Sequence, residues 1–333
     1  MSRSNEITRR SVLRATGGLA AALAAATAGG TLAACGQAGP AVGSAARPLA
    51  MAFVPSGETQ RILATGKPLG EMLEQETGYK IEVSVPTSYV AVVEAMGAGK
   101  IDVGWLAPFS YAVAHKRYGV EVILATVRAG SKTYPWQLIV HADSGIKTID
   151  ELRGKRFAFG DPLSTSGYLY PAAYIKEKFN LEPEKFFSQI VFAGAHDKVV
   201  VAVYNKQVDG GATYGPNAGA PESDARQRVL TTLPDVMQKV VRILEADKIP
   251  NDTVSVRKGL PRDVVEKVKN GLLKIAGTDQ GKKLLRDLYS IDGLTAAAHA
   301  DYDPLIKKAE LLRLDLEVAA GIKPAPTATR GPS

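Results

Sequence analysis

From Leu49 onward the chain alternates strand-like and helix-like runs, and this alternation limits its fold more than any other feature. "LAMAFVP", "KIEVSVP", "IDVGWL" and "VEVILATV" have strand patterning. Between them, "TQRILATGKPLGEMLEQETG", "SYVAVVEAMGAG" and "PFSYAVAHKRYG" place apolar residues at helical spacing. A second series follows, with strands "PWQLIVHA", "KRFAFG", "QIVFAG" and "DGGAT" and helices "TIDELRG", "SGYLYPAAYIKEKFN" and "HDKVVVAVYNKQ". "QKVVRILEA" and "DTVSVR" are then strands, and the remainder is mostly helical. Alternating strands and helices predict parallel sheets covered by helices on both faces. Two such series predict two α/β lobes, with the C-terminal helices added to the first because no new strand set follows them.

Composition agrees with a large core. The chain has 333 residues, 45% hydrophobic and 23% charged, which supports more than one folded lobe. The net charge of +7 is partly local, because Arg3, Arg9, Arg10 and Arg14 lie with Glu6 in residues 1–34. The remaining excess is mild and shows no basic block, so a nucleic-acid partner is not expected.

Residues 1–34 read as an export signal. "TRRSVLR" resembles a twin-arginine signal, with Val12 where Phe is common, and "LAAC" resembles a lipobox ending at Cys35. The stretch between them is rich in Ala and Gly, which makes a poor membrane span. Cys35 is the only cysteine, so the mature chain has neither a disulfide nor a Cys-based metal site. Lipidation at Cys35 would anchor the protein to the cell membrane, facing the periplasm or the cell exterior. Residues 35–48 are then a lipidated tether, and the Pro-rich residues 321–333 a disordered tail.

The segment "GDPLSTSGYLYP" sets Ser164, Thr165 and Ser166 between a strand and a helix. Ligands of open α/β sheets bind beyond the carboxyl ends of strands, where unpaired amides at helix N-termini suit an anion. An ordinary N-cap uses one hydroxyl, and three in a row exceed that need. The segment therefore reads as an oxyanion cradle, with Gly167 allowing close backbone approach. Tyr89, Ser110 and His196 stand at similar strand-to-helix steps.

Catalytic and metal patterns are weak. His115, His141, His196 and His299 form no metal-ligand spacing, and no nucleophile elbow, Walker loop or dinucleotide loop occurs. No cofactor, metal or enzymatic activity is expected. An exported α/β protein without catalytic apparatus suggests a binding protein.

At this level the chain resembles the phosphate/phosphite/phosphonate substrate-binding proteins of ABC transporters, the PhnD-type family. The similarity runs from about residue 49 to about residue 292. It is carried by "SYVAVVEAMGAGKIDVGWLAPFSYAVA", "LRGKRFAFGDPLSTSGYLYPAAYI", "VFAGAHDKVVVAVYNKQVDGGA" and "IPNDTVSVRKGLP". The resemblance implies an α/β, type II periplasmic-binding-protein fold, two lobes joined by a two-segment hinge. Lobe 1 would comprise 49–138 plus 246–320 and lobe 2 residues 139–245, with crossings near 134–139 and 245–254. It also implies ligand contacts from Tyr89, Tyr134, Ser164, Thr165, Ser166, His196 and Asp252. The expected function is capture of a phosphorus oxyanion and delivery to the permease and ATPase subunits of an importer, by a monomer. Hydroxyls, helix amides and imidazole would hold the ion as neutral donors. Relatives that take aminoalkyl phosphonates carry an acidic residue after the "VDGGA"-like strand. Here that place falls near Tyr214 to Pro216 without a carboxylate, which favours phosphite, phosphate or methylphosphonate. Alternatives are a sulfonate, nitrate or thiamine-precursor-like ligand in the same fold, a sensor subunit, or an exported phosphatase or transferase using His196 or Asp252.

Overall fold

A computed structural model describes residues 40–312, so the export signal, Cys35, the first part of the tether and the C-terminal tail lie outside the described residues. The chain begins with β1 (Leu49–Phe53), α1 (Thr59–Thr77), β2 (Ile81–Ser84), α2 (Tyr89–Gly97), β3 (Val103–Leu106), α3 (Pro108–Tyr118) and β4 (Glu121–Val127). It continues with β5 (Thr133–His141), β6 (Arg156–Phe159), α4 (Tyr170–Phe179), α5 (Pro183–Phe186), β7 (Gln189–Phe192), α6 (His196–Tyr204) and β8 (Gly210–Tyr214). After α7 (Val236–Lys239) come β9 (Val240–Pro250), β10 (Thr253–Val256), α8 (Arg262–Gly277), α9 (Asp279–Tyr289), β11 (Gly293–Ala296) and α10 (Asp303–Leu311).

The strands form a six-stranded sheet, β11-β4-β10-β3-β1-β2, and a five-stranded sheet, β7-β6-β8-β5-β9. The protein thus has an α/β fold of two lobes. Both sheets are mixed, which corrects the expectation of parallel sheets. β1 runs parallel to β2 and β3, and β6 parallel to β7 and β8. β10 is antiparallel to β3 and β4, and β5 is antiparallel to β8 and β9. A parallel neighbour needs a crossover, usually a helix. A strand that arrives from the other sheet has none, and here it inserts in the opposite sense. β11 adds a further antiparallel edge on β4. Its four residues are too short to carry a strand period in sequence.

The chain passes between the sheets at 128–132 and again at 251–252. Residues 133–138 and 246–250, assigned to the first lobe from sequence, lie in the second sheet, where 133–136 pair with 246–250. The register of β5 on β9, from Thr133 opposite Pro250 to His141 opposite Val240, places both segments there.

Buried side chains explain these elements. In α1, Ile62, Leu69 and Leu73 share the buried face, and they pack with Phe53 and Trp105 of the sheet and with Val268 and Leu272 of α8. Each such buried aliphatic side chain contributes roughly 1.5–3 kcal/mol. A second apolar cluster runs across the two lobes, from Val92 and Phe109 to Leu163, Leu169 and Phe159. The lobes are therefore closed on each other. No helix among the described residues is long and apolar enough to cross a membrane.

Candidate functional site

Between the sheets lies an enclosed cavity of ≈ 30 Å³. A single water needs about 10–15 Å³ on this measure, so the space admits only a compact group of a few heavy atoms. Its wall includes Ser56, Tyr89, Arg128, Tyr134, Ser164, Ser166, His196, Tyr214, Arg228, Asp252 and Tyr289.

The hydroxyl segment forms one side. Ser164 precedes a π-helical turn, Thr165–Leu169, that runs into α4. Its Oγ accepts the Gly167 amide at 3.1 Å, which leaves the hydroxyl hydrogen to donate elsewhere. The first amides of this helical run have no intrahelical partner. Gly167 is required by space. A Cβ there would stand 2.8 Å from Ser164 Oγ and 3.2 Å from both Gly160 Cα and His196 Cε1.

Thr165 does not line the cavity. Its Oγ1 accepts the Phe109 amide of the opposite lobe at 2.9 Å, and the residue is fully buried. Neighbouring contacts also bridge the lobes. Ser110 Oγ donates to the Leu163 carbonyl at 3.0 Å, and the Tyr89 amide donates to Asp161 Oδ2 at 3.3 Å. Burial raises the Asp161 carboxyl above the ordinary carboxylate range.

His196 opens α6, and its amide donates to the Ser56 carbonyl across the lobes at 3.2 Å. Its Nδ1 is 2.9 Å from Thr213 Oγ1 on β8. With the Thr213 hydroxyl donating, the ring proton sits on Nε2, available to an anion. Burial, with Arg228 and Arg128 nearby, brings the imidazole pKa down to about 3, so the ring is neutral near pH 7. Burial also raises the phenols of Tyr89 and Tyr134, which remain protonated donors.

Two arginines, neither singled out in the sequence, correct the expectation of neutral donors alone. Arg128 follows β4, and Asp252 lies between β9 and β10. They pair at 2.5 Å, with Arg128 Nε also donating to the Tyr289 carbonyl at 3.0 Å. Arg128 further lies 5.3 Å from the Tyr134 ring centroid. Arg228 comes from the 3-10 turn Ala225–Val229 and donates to the Tyr214 hydroxyl. Tyr289, from the end of α9, completes the wall and donates its hydroxyl to the Val54 carbonyl at 2.9 Å.

Tyr89, Tyr134, Ser164, Ser166, His196 and Asp252 are thus gathered around one cavity. Ser56, Arg128, Tyr214, Arg228 and Tyr289 join them without any sequence motif. Among the described residues, no group of three or more His, Cys, Asp or Glu side chains could hold a metal ion. The arrangement can bind an oxyanion through hydroxyl, imidazole and guanidinium donors.

Residues 51–302 match a family described as the periplasmic substrate-binding protein of phosphonate ABC transporters. The chain is 30% identical over 226 residues to the phosphonates-binding periplasmic protein of Escherichia coli (strain K12), covering 66% of this chain and 64% of that one. It is 32% identical over 176 residues to a phosphate-import protein, PhnD, of Mycolicibacterium smegmatis, covering 50% of this chain and 54% of that one. The chain thus spans less than two thirds of the length of these curated relatives. Among solved structures, PhnD1 from Prochlorococcus marinus in complex with methylphosphonate has a TM-score of 0.70 at 17% identity, covering 80% of this chain and 98% of that one. A binding protein component of an ABC phosphonate transporter from Pseudomonas aeruginosa has a TM-score of 0.72 at 24% identity, covering 84% and 91%. At these identities the structural likeness establishes the fold.

Proposed function

The chain belongs to the periplasmic substrate-binding proteins of phosphonate ABC transporters, and from that premise we propose that it captures a small phosphorus oxyanion in the interlobe cavity and delivers it to an importer's permease. This family serves transport rather than catalysis. One observation carries the reading: an enclosed cavity of ≈ 30 Å³ on which Tyr89, Tyr134, Ser164, Ser166, His196, Arg128 and Arg228 converge. Phosphonate, phosphite and phosphate fit both the donor set and the small volume. The ligands named for the similar proteins support the same range.

In this reading the lobes move about the passages at 128–132 and 251–252. The bonds from Phe109 to Thr165, Ser110 to Leu163 and His196 to Ser56 form on closure. A ligand that touches both lobes only when closed shifts the equilibrium toward closure. Thr165 then acts as a closure contact rather than a ligand donor. Lipidation at Cys35 and a tether through residue 48 would hold the protein at the membrane, and the lipobox-like "LAAC" supports this.

The test is thermal unfolding of the protein freed of residues 1–34, against phosphite, phosphate, methylphosphonate, 2-aminoethylphosphonate, sulfate, nitrate and taurine. A ligand 1,000-fold above its dissociation constant adds about 4 kcal/mol of stability. A shift with at least one phosphorus oxyanion is expected. A shift with sulfate, nitrate or taurine alone would replace the oxyanion class, and no shift at all would reject the reading.

A further inference from the structure

The charged groups at the cavity do not balance. Arg128 is matched by Asp252 at 2.5 Å, and His196 is neutral. Arg228 has no such partner. Its Nε–H goes to the Tyr214 hydroxyl, and its guanidinium lies 5.6 Å from the Tyr214 ring centroid and 5.8 Å from that of Tyr289. Among the described residues no carboxylate stands within ion-pair distance of it, and Asp197 acts on it only at longer range. Among the described residues, one positive charge of the cavity wall therefore has no directly paired carboxylate.

Its position matters as much as its charge. Arg228 belongs to the second lobe but reaches the first. A Cβ on Gly57, in the loop between β1 and α1, would lie 2.9 Å from Arg228 Nη1. The same side chain also lines a wider outer cleft of ≈ 970 Å³, bordered by Glu58, Arg61, Asp197 and Lys198. Arg228 thus borders both the cavity and the cleft outside it. A substituent too long for the cavity would meet the guanidinium on its way out. The rings of Tyr214 and Tyr289, whose faces would otherwise attract an ammonium, already carry this cation.

We propose that Arg228 is a specificity-determining residue that admits phosphorus oxyanions with uncharged substituents and rejects those with a cationic one, such as aminoalkyl phosphonates. The inference rests on the oxyanion reading above. Juxtaposed like charges in a partly desolvated site weaken binding on the order of a hundredfold or more.

The experiment is calorimetric titration of the same protein with methylphosphonate, 2-aminoethylphosphonate and propylphosphonate, the last being the neutral isostere of the second. In the wild type, propylphosphonate should bind at least ~100-fold more tightly than 2-aminoethylphosphonate. Arg228→Gln should shrink that ratio at least ~10-fold. Arg228→Met, which keeps an apolar stem between the two tyrosine rings and removes the charge, should shrink it in the same direction, and it carries the test if Arg228→Gln does not fold. Equal binding of the two by the wild type, or a ratio unchanged in the folded variants, overturns this inference and leaves oxyanion capture standing. Binding of methylphosphonate with exclusion of both longer ligands assigns the limit to size, and the inference falls. Failure of every phosphorus oxyanion to bind overturns both the inference and the reading beneath it.

Discussion

Arg128 and Asp252 meet at 2.5 Å, one from each of the two passages that connect the lobes. Their side chains are 10% and 22% exposed, so the pair is only partly screened by solvent. It ties the passages to each other and forms part of the cavity wall. Breaking a fully buried pair by removing one partner costs roughly 3–5 kcal/mol. With this exposure, Asp252→Asn should lower the unfolding free energy of the ligand-free protein by about 1–3 kcal/mol. Urea denaturation measures this, and an unchanged midpoint would show that water replaces the carboxylate at no cost.

His196 predicts a pH dependence. Its folded pKa, about 3, is depressed below the ordinary 6.5, because burial and the nearby Arg228 and Arg128 disfavour the imidazolium. The unfolded chain therefore binds the extra proton between these values. Stability from this group is complete above pH 6.5 and is lost as pH falls toward 3, at up to about 1.4 kcal/mol per pH unit. His196→Gln should flatten this part of the acid limb, measured as unfolding free energy at pH 4, 5, 6 and 7. An identical slope in the variant would place the titrating group elsewhere.

Ser164 and Thr165 are neighbours with different expected phenotypes. Ser164 Oγ caps the Gly167 amide and faces the cavity, so Ser164→Ala should cost about 0.5–2 kcal/mol of stability and also weaken ligand binding. Thr165→Val removes the acceptor of the Phe109 amide, a bond that joins the two lobes. It leaves a buried N–H unpaired in the closed form, which costs about 1–3 kcal/mol. Ligand affinity should fall by that amount through faster dissociation, with no contact to the ligand removed. Stopped-flow dissociation rates separate the two effects, and an unchanged rate in Thr165→Val would remove this contact from closure.

Much of the fold was legible because its information is local. The apolar spacing of "TQRILATGKPLGEMLEQET" predicted a helix ending near Gly78, and α1 spans Thr59–Thr77. The Ser before "YVAVVEAMG" predicted a cap, and Ser88 Oγ accepts the Ala91 amide at 3.1 Å. The three hydroxyls after β6 marked a strand-to-helix junction, and two of them face the cavity. Arg128 and Arg228 gave no such signal. Arg128 is the one basic residue of "TVRAG" and Arg228 one of two in "RQRVL", and nothing nearby in sequence distinguishes either from a solvated surface charge.

The amino-acid sequence by itself determined the alternation of strands and helices, the hydroxyl-rich junction at 164–166 and the family to which these motifs belong. These depend on side-chain period and local capping, which act over a few residues. Tertiary structure alone decided the antiparallel insertion of β5 and β10, the turning of Thr165 toward Phe109, and the charge of the cavity. Those depend on what the returning chain places beside a group. Asp252 neutralises Arg128 from 124 residues away, and among the described residues no carboxylate pairs with Arg228 in this way.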